Sequence, residues 1–171
     1  ALIASGQADR TVVIFTSDHG EMAGSHGLRQ KGNLVYDENF HVPFVICHRD
    51  LTGGSRTDAC PHRSARDAVL TAVEIVTTLD DGFWRSLGDP DGPERVQAGS
   101  LRPDWTKRGF LRGYTDDRYT YGRYFSPLEP NRPRTVERLL ADNDVVLYDR
   151  QSDPQEQVNL ANEPAHRELV S

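Results

Sequence analysis

The chain has 171 residues, of which 36% are hydrophobic and 27% are charged, and its formal net charge is -6. This composition is that of a folded soluble domain, or a large part of one, and not of a disordered chain. No apolar run approaches the ~20 residues that a membrane-spanning helix needs, and a negative chain with dispersed arginines is a poor general nucleic-acid binder.

The sequence starts with Ala and not Met, and its first ten residues, ALIASGQADR, read as the end of a helix followed by a loop. They show neither a signal peptide nor a transit peptide. We therefore expect the chain to be the C-terminal part of a longer protein. Its cellular location stays undetermined by the sequence.

Two short apolar runs predict strands. Thr11–Thr16 (TVVIFT) predicts a strand buried on both faces, in a sheet covered by helices, and Phe44–Cys47 (FVIC) predicts a second strand. Between them lie a long polar, glycine-rich loop, Asp18–Asn33, and a helical turn near Tyr36–Asn39. Loops of this length inside a compact domain are usually functional.

The middle of the chain predicts a helix and then an irregular stretch. Ser64–Leu79 (SARDAVLTAVEIVTTL) carries valines at helical spacing, with Ser64 as N-cap. Asp81-Gly82 is expected to close that helix. The turn-rich segment Gly88–Pro103 is predicted to be irregular.

The last third predicts a smaller α+β portion. Arg108–Pro127 alternates in strand fashion around Thr115–Arg118, which is typical of an antiparallel hairpin. Thr135–Ala141 predicts a short helix and Val145–Tyr148 a further strand. A turn is expected at Ser152-Asp153-Pro154.

The residues that follow the first strand carry groups suited to a cation and an anion. Asp18 and His19 come directly after the strand, and ligand-binding groups of open α/β sheets gather beyond the strand ends. A carboxylate and a neutral imidazole can share a divalent cation. Lys31 adds a positive charge that would suit sulfate or phosphate. A capped, solvated loop explains the Asp–His pair equally well on these grounds alone.

Three stretches of the first half together resemble the sulfatase family of the alkaline phosphatase superfamily: TVVIFTSDHGE, GSHGLRQKG and YDENFHVPFVI. RGYTDDRYTYGRYF and VVLYDRQSDPQEQVNLA are similar to the strand pair and the signature near the family's C-terminus. The Asp-His form looks most like iduronate-sulfatase-type enzymes, choline sulfatases and phosphonate monoester hydrolases.

The resemblance implies a fold and a division of the chain. The fold is α/β, part of an alkaline-phosphatase-like sheet covered by helices, followed by a smaller α+β portion with an antiparallel hairpin. Residues 1–81 would be the C-terminal part of the catalytic domain. Residues 82–107 would be an irregular connection, and residues 108–171 a small subdomain.

The resemblance also implies roles. Asp18 and His19 would bind a divalent cation, calcium in the first place with manganese open. Lys31 would bind the substrate and act in catalysis by stabilising the leaving alkoxide. His26 would either line the mouth of the substrate site or pack within the loop; Glu21 is expected to be a loop residue and not a ligand. The substrate would be a small-molecule or carbohydrate sulfate ester.

The nucleophile of the family is absent from this sequence. Family members convert the Cys or Ser of Cys-x-Pro-x-Arg to formylglycine, and neither CHRDL at Cys47 nor CPHRS at Cys60 fits. We expect formylglycine in an N-terminal part, and expect this chain alone to be inactive. Two alternatives are a phosphodiesterase or phosphonate monoester hydrolase of the same superfamily, and a non-catalytic metal-binding module. Exposed strand edges would favour a homo-oligomer.

Overall fold

The computed structural model of the protein describes residues 2–48, 68–74, 80–128 and 132–170, which belong to two compact units. Residues 2–31 and 37–48 form the first unit. Residues 32–36, together with the described residues from 68 onwards, form the second. The second unit therefore includes a five-residue segment that lies, in sequence, inside the first.

The first unit is built on two strands. Strand β1 (Val13–Thr16) pairs antiparallel with β2 (Phe44–Cys47), with Val13 opposite Cys47 and Thr16 opposite Phe44. Helix α1 (Asp37–Phe40) precedes β2, and 3-10 turns form at Ala8–Arg10 and Ser25–Gly27. Both predicted strands and the predicted helical turn are confirmed.

The predicted burial of β1 is wrong for this chain. Val13, Ile14 and Phe15 are 44%, 55% and 64% exposed. A strand is buried on both faces only when layers pack on either side of it. Within the described residues β1 lies in a two-stranded sheet with β2, and such a pair does not provide those layers.

The second unit is a four-stranded antiparallel sheet with short helices. Its strands, in spatial order, are β3 (Ala68–Val73), β4 (Phe110–Asp116), β5 (Tyr119–Phe125) and β6 (Asp144–Asp149). Its helices are α2 (Asp81–Leu87), α3 (Gly92–Gln97), α4 (Val136–Asp142) and α5 (Arg167–Val170), the last preceded by a 3-10 turn at Pro164–His166.

Most of the predictions for the last third are confirmed. The hairpin is β4–β5, the short helix is α4, and the further strand is β6. Thr135 caps α4 because its side chain accepts a hydrogen bond from the Arg138 backbone N–H. The turn after β6 forms where Asp153 N–H donates to the Asp149 carbonyl oxygen over 2.8 Å.

The helix predicted over Ser64–Leu79 is wrong in its described part, because Ala68–Val73 is strand β3. Its valines and Leu70 suit a strand as well as a helix, and β4, some forty residues away in sequence, supplies the ladder partner. Residues 64–67 and 75–79 lie outside the described residues. The expected helix end at Asp81-Gly82 is instead the start of α2, where Asp80 accepts a hydrogen bond from Phe83 N–H over 3.2 Å.

The irregular segment predicted over Gly88–Pro103, within the connection 82–107, is also corrected. Helix α3 forms inside it, with a proline in its first turn, and α2 occupies the start of the connection. Proline is compatible with the first turn of a helix, since its missing N–H would have no helical partner there. The predicted mixture of helices and strands is confirmed, with antiparallel sheets.

Alternate residues of the second unit's sheet face two apolar clusters. One cluster contains Leu139, Val145, Leu147, Ala161 and Val170. The other contains Val35, Leu111 and Tyr148, with Val146 packed beside them. Because neighbouring residues of β6 belong to different clusters, the clusters cover opposite faces.

Among the described residues, no helix has both the length and the apolar composition that crossing a membrane requires.

Candidate functional site

Asp18 and His19 lie side by side just after β1. The Nε2 atom of His19 is 3.5 Å from the Oδ1 atom of Asp18, and the two side chains are 36% and 82% exposed. A bend at these residues brings both side chains to one side, whereas a continued strand would send them to opposite faces. The Ser17 hydroxyl donates to the His19 carbonyl oxygen over 2.6 Å and closes this bend.

The second ring nitrogen of His19 has a defined partner. Nδ1 lies 2.7 Å from the Gly20 carbonyl oxygen. A carbonyl oxygen only accepts, so Nδ1 carries the proton of the neutral ring and the lone pair is left on Nε2, beside the Asp18 carboxylate. This arrangement can accept a divalent cation between the two groups. A backbone partner on the other nitrogen is the usual support of a metal-binding histidine.

The backbone after His19 is docked on helix α1. Gly20 N–H donates to the Asn39 carbonyl oxygen over 2.9 Å, and Glu21 N–H donates to the Glu38 carbonyl oxygen over 3.0 Å. A Cβ atom on Gly20 would overlap the Glu38 carbonyl oxygen and approach the Asn39 carbonyl carbon to 3.0 Å. Glycine is therefore required here by the close approach of two backbones.

The rest of the loop is folded back on itself. Met22 is fully buried, and its N–H donates to the Gln30 carbonyl oxygen over 3.3 Å. From Ala23 to Gln30 the backbone adopts left-handed φ angles at five residues: Ala23 (49°), Gly24 (104°), His26 (55°), Gly27 (71°) and Gln30 (64°).

His26 lies against α1. Its side chain is 13% exposed, and its Nε2 atom is 4.0 Å from the Oε2 atom of Glu38. A role of His26 in substrate binding stays a prediction.

Lys31 lies at the end of the loop, one residue after Gln30, and is exposed. With the residues that the structure describes, its ammonium group makes no ion pair. Its charge is therefore available to an anion from solution.

Asp18 and His19 are a two-residue donor set. Over residues 2–48, 68–74, 80–128 and 132–170, no group of three or more His, Cys, Asp or Glu side chains is arranged to hold a metal ion. Calcium takes six to eight oxygen ligands, so these two residues would have to be joined by water, substrate or groups from elsewhere in a longer polypeptide.

A buried group of tyrosines in the second unit was not anticipated from the sequence. Burial raises the pKa of Tyr124 to about 12, an effect that a backbone hydrogen bond with Val35 partly offsets. Burial and a hydrogen bond with Tyr36 raise the pKa of Tyr148 further. These phenols stay neutral at physiological pH, so they hold structure and are not general bases.

Comparison with known proteins finds a matching family model and relatives that are longer than this chain. Residues 1–81 match the family model described as Sulfatase. The chain is 29% identical over 160 residues to the uncharacterised sulfatase YidJ of Escherichia coli (strain K12). This alignment covers 90% of this chain and 29% of that protein. It is 27% identical over 182 residues to the Delta 4,5-hexuronate-2-O-sulfatase of Bacteroides thetaiotaomicron, covering 100% of this chain and 34% of that protein.

The fold is also similar to a solved structure. The crystal structure of the phosphonate monoester hydrolase of Agrobacterium radiobacter matches with a TM-score of 0.59 and 21% identity, over 99% of this chain and 34% of that chain. The chain thus spans roughly a third of the length of these relatives.

Proposed function

We propose that this chain, whose residues 1–81 match the Sulfatase family model, supplies a cation-binding pair and an anion-binding lysine to an enzyme that hydrolyses sulfate esters. At the family level the reaction is sulfate ester hydrolysis. The observation that carries the proposal is the placement of His19, with Nδ1 on a backbone carbonyl oxygen and Nε2 beside the Asp18 carboxylate.

In this proposal Asp18 and His19 hold a divalent cation. The bound cation supplies positive charge that polarises a sulfate oxygen. The hard carboxylate oxygen favours calcium, and the imidazole leaves manganese open. Since only two ligands come from this chain, we expect the 171-residue chain alone to bind calcium weakly.

Lys31 is proposed to contact the ester itself. Its exposed ammonium group would bind a sulfate oxygen or the bridging oxygen, where negative charge grows as the alcohol leaves. Losing one such donor costs about a hundredfold in kcat, on the scale of an oxyanion-hole hydrogen bond. The covalent nucleophile, formylglycine in the family that this chain resembles, is proposed to come from another part of a longer polypeptide.

The substrate is proposed to be a sulfated carbohydrate or a small sulfate ester. The name of the Bacteroides relative states that it acts on a sulfated hexuronate, which supports a carbohydrate sulfate for this chain. Phosphate and phosphonate esters present a tetrahedral anion of similar shape to the same cation and lysine. The fold that the chain shares with a phosphonate monoester hydrolase supports these esters as the second candidate.

The experiment compares esters in the full-length polypeptide that contains this chain. The values of kcat/KM are measured for 4-nitrophenyl sulfate, a phosphonate monoester and a phosphodiester, with calcium, with manganese and after treatment with a chelator. We expect sulfate ester to be preferred and the chelator to abolish turnover. Preference for the phosphorus esters would establish the second candidate. Calcium binding without turnover of any ester would establish a non-catalytic module.

The lysine is tested with a matched variant. Lys31→Ala should lower kcat for the preferred ester about a hundredfold while leaving the melting temperature unchanged, because the side chain is exposed. Arg29→Ala removes another exposed cation of the same loop and serves as the control. Equal kinetics of the Lys31 variant and the unaltered enzyme would reject the assigned role.

A further inference from the structure

The segment Gly32–Tyr36 links two parts of the chain that belong to the first unit. Lys31 before it and Asp37 after it are grouped with the first unit, whereas the segment itself is grouped with the second. We call Gly32–Tyr36 the strap. The residue directly before the strap is thus the proposed anion-binding lysine.

The strap is seated on a pair of glycines in the second unit's sheet. Gly113 of β4 and Gly122 of β5 are direct cross-strand partners, and their missing side chains leave a notch in the face of the sheet. Val35 lies over this notch and is 4% exposed. A Cβ atom on Gly122 would come within 2.5 Å of Val35 Cγ1 and 3.0 Å of Val146 Cγ2. Val35 therefore occupies the space that a side chain at position 122 would need.

Further contacts hold the strap on either side of Val35. The side-chain amide of Asn33 donates to the Gly109 carbonyl oxygen. The ring of Tyr36 packs on that of Tyr148, with 5.8 Å between the centroids. Three of the five strap residues are thus fixed to the second unit.

The chain before Lys31 is fixed as well. The Gln30 carbonyl oxygen accepts the hydrogen bond from Met22 N–H over 3.3 Å, and Met22 is fully buried in the first unit. In sequence, Lys31 directly follows Gln30, which is hydrogen-bonded within the first unit, and precedes by two residues Asn33, which is hydrogen-bonded within the second. Few residues separate Lys31 from either hydrogen bond, and each of them adds only two soft dihedral angles to the backbone.

We propose that Val35 and the Gly113–Gly122 notch are positioning elements for Lys31, because they hold the chain that directly follows this lysine. This inference rests on the proposed function of Lys31. Val35 itself is a positioning residue, because it acts on the ester only through the backbone that it anchors.

The test compares two valine truncations in the full-length enzyme. Val35 and Val145 are both buried, at 4% and 8% exposure, but they belong to clusters on opposite faces of the same sheet. We expect Val35→Ala to lower kcat for a sulfate ester about tenfold or more, with the calcium affinity unchanged, as misplacement of a catalytic group does. Val145→Ala should change kcat less than about threefold at a temperature where thermal melts show both variants folded.

A size-exchange pair tests the notch directly. Gly122→Ala should lower kcat because the new methyl group displaces Val35. Adding Val35→Ala to this variant removes the Cγ atoms that the methyl group meets, so the double variant should recover kcat relative to Gly122→Ala alone. A purely structural role predicts that the recovery appears in the melting temperature alone, with equal kcat of the three variants at a temperature where all are folded.

A second readout does not depend on activity. Amide hydrogen exchange at residues 30–36 should be faster in Val35→Ala than in Val145→Ala. If the unaltered enzyme hydrolyses none of the esters, the proposed function fails. If the same experiments still show faster exchange at residues 30–36 in Val35→Ala, the anchoring of the Lys31 segment stands. Equal losses of kcat in the two truncations, or equal exchange at residues 30–36, would overturn the positioning proposal.

Discussion

At the scale of single residues, the chemistry of the loop depends on which nitrogen of His19 carries the ring proton. The Gly20 carbonyl oxygen holds the proton on Nδ1, and the lone pair on Nε2 then faces Asp18. The same ring with its proton on Nε2 would offer the cation no electron pair at that position. The backbone thus selects the tautomer that a metal ligand needs.

Two substitutions of His19 distinguish its nitrogens. A glutamine oxygen reaches the position of Nε2, whereas an asparagine oxygen reaches that of Nδ1. We expect His19→Gln in the full-length polypeptide to retain more calcium affinity than His19→Asn, which should lose about 10- to 100-fold. Calorimetric titration with calcium measures both. Greater loss in His19→Gln than in His19→Asn would contradict the assignment of Nε2 as the ligand atom.

Gly20 gives a second prediction at this scale. Gly20→Ala should lower the free energy of unfolding by about 1–3 kcal/mol, since a Cβ atom overlaps the Glu38 carbonyl oxygen and backbone cannot easily yield. It should also weaken calcium binding, because the pair before it shifts. Urea denaturation and calcium titration are the measurements.

The control for Gly20 is Gly82→Ala in helix α2, where the nearest atom to a new Cβ is a side-chain oxygen of Asp80 at 3.3 Å. Alanine favours a helix over glycine, so this variant should be close to neutral. Equal destabilisation by the two substitutions would show that the contact with α1 is not decisive.

At the scale of elements, the strands and helices with strong local signals were predictable. β1 and β2 are continuous apolar runs, the β4–β5 hairpin alternates around a polar turn, and α4 starts at the capping residue Thr135. Each of these signals is contained in fewer than twenty consecutive residues, so the sequence alone carries it.

The elements that were mispredicted depend on partners distant in sequence. Valines at 69 and 73 fit one face of a helix, but they are also good strand residues, and pairing with β4 decides the outcome. In the site, the Asp–His pair and Lys31 could be named from the sequence. The docking of Gly20 on α1 and the seating of Val35 could not, because nothing local predicts which backbones meet.

The ion pair between the β4–β5 turn and the end of β6 predicts how the stability of the fold depends on pH. Arg118, in the β4–β5 turn, donates from Nη2 to Asp149 Oδ2 over 2.8 Å, and this bond together with a backbone hydrogen bond from Gln151 lowers the pKa of Asp149 from 3.8 to about 2. A carboxyl group with a lowered folded-state pKa stabilises the fold above its unfolded pKa, and that contribution is lost as the pH falls through the folded value.

Asp149→Asn should therefore melt at a lower temperature than the unaltered chain at pH 5, and the difference should shrink as the pH falls to 2. Melting curves between pH 2 and 5 measure this. Asp142→Asn provides the comparison, since Asp142 pairs on helix α4 with Arg138, whose side chain is 71% exposed, and an i,i+4 pair of this kind contributes little. A difference between Asp149→Asn and the unaltered chain that is constant over this range would contradict the prediction.

At the scale of the whole molecule, the apolar surface of β1 is the feature with the clearest consequence for solution behaviour. Val13, Ile14 and Phe15 are consecutive, and each is at least 44% exposed. Contiguous apolar surface and unpaired strand edges favour association. We predict that the 171-residue chain self-associates in a concentration-dependent manner.

Sedimentation velocity at several concentrations tests this prediction. Ile14→Thr with Phe15→Thr should reduce association while keeping strand-forming residues in β1. Ile3→Thr changes a residue that is 87% exposed and lies outside β1, and it should leave association unchanged. A monomer at all concentrations, or equal effects of the two sets of substitutions, would argue against association through β1.

The path of the strap has a consequence for the order in which the protein matures. During synthesis Val35 leaves the ribosome well before Leu111, Gly122 and Tyr148 have been translated, so the surface on which it comes to rest does not yet exist. The C-terminal end of the loop that carries Lys31 therefore has nothing to pack on until the strands near the C-terminus have been translated. Premature termination between Tyr36 and β4 would leave a polypeptide in which the loop sequence is complete but the sheet that Val35 packs on is missing.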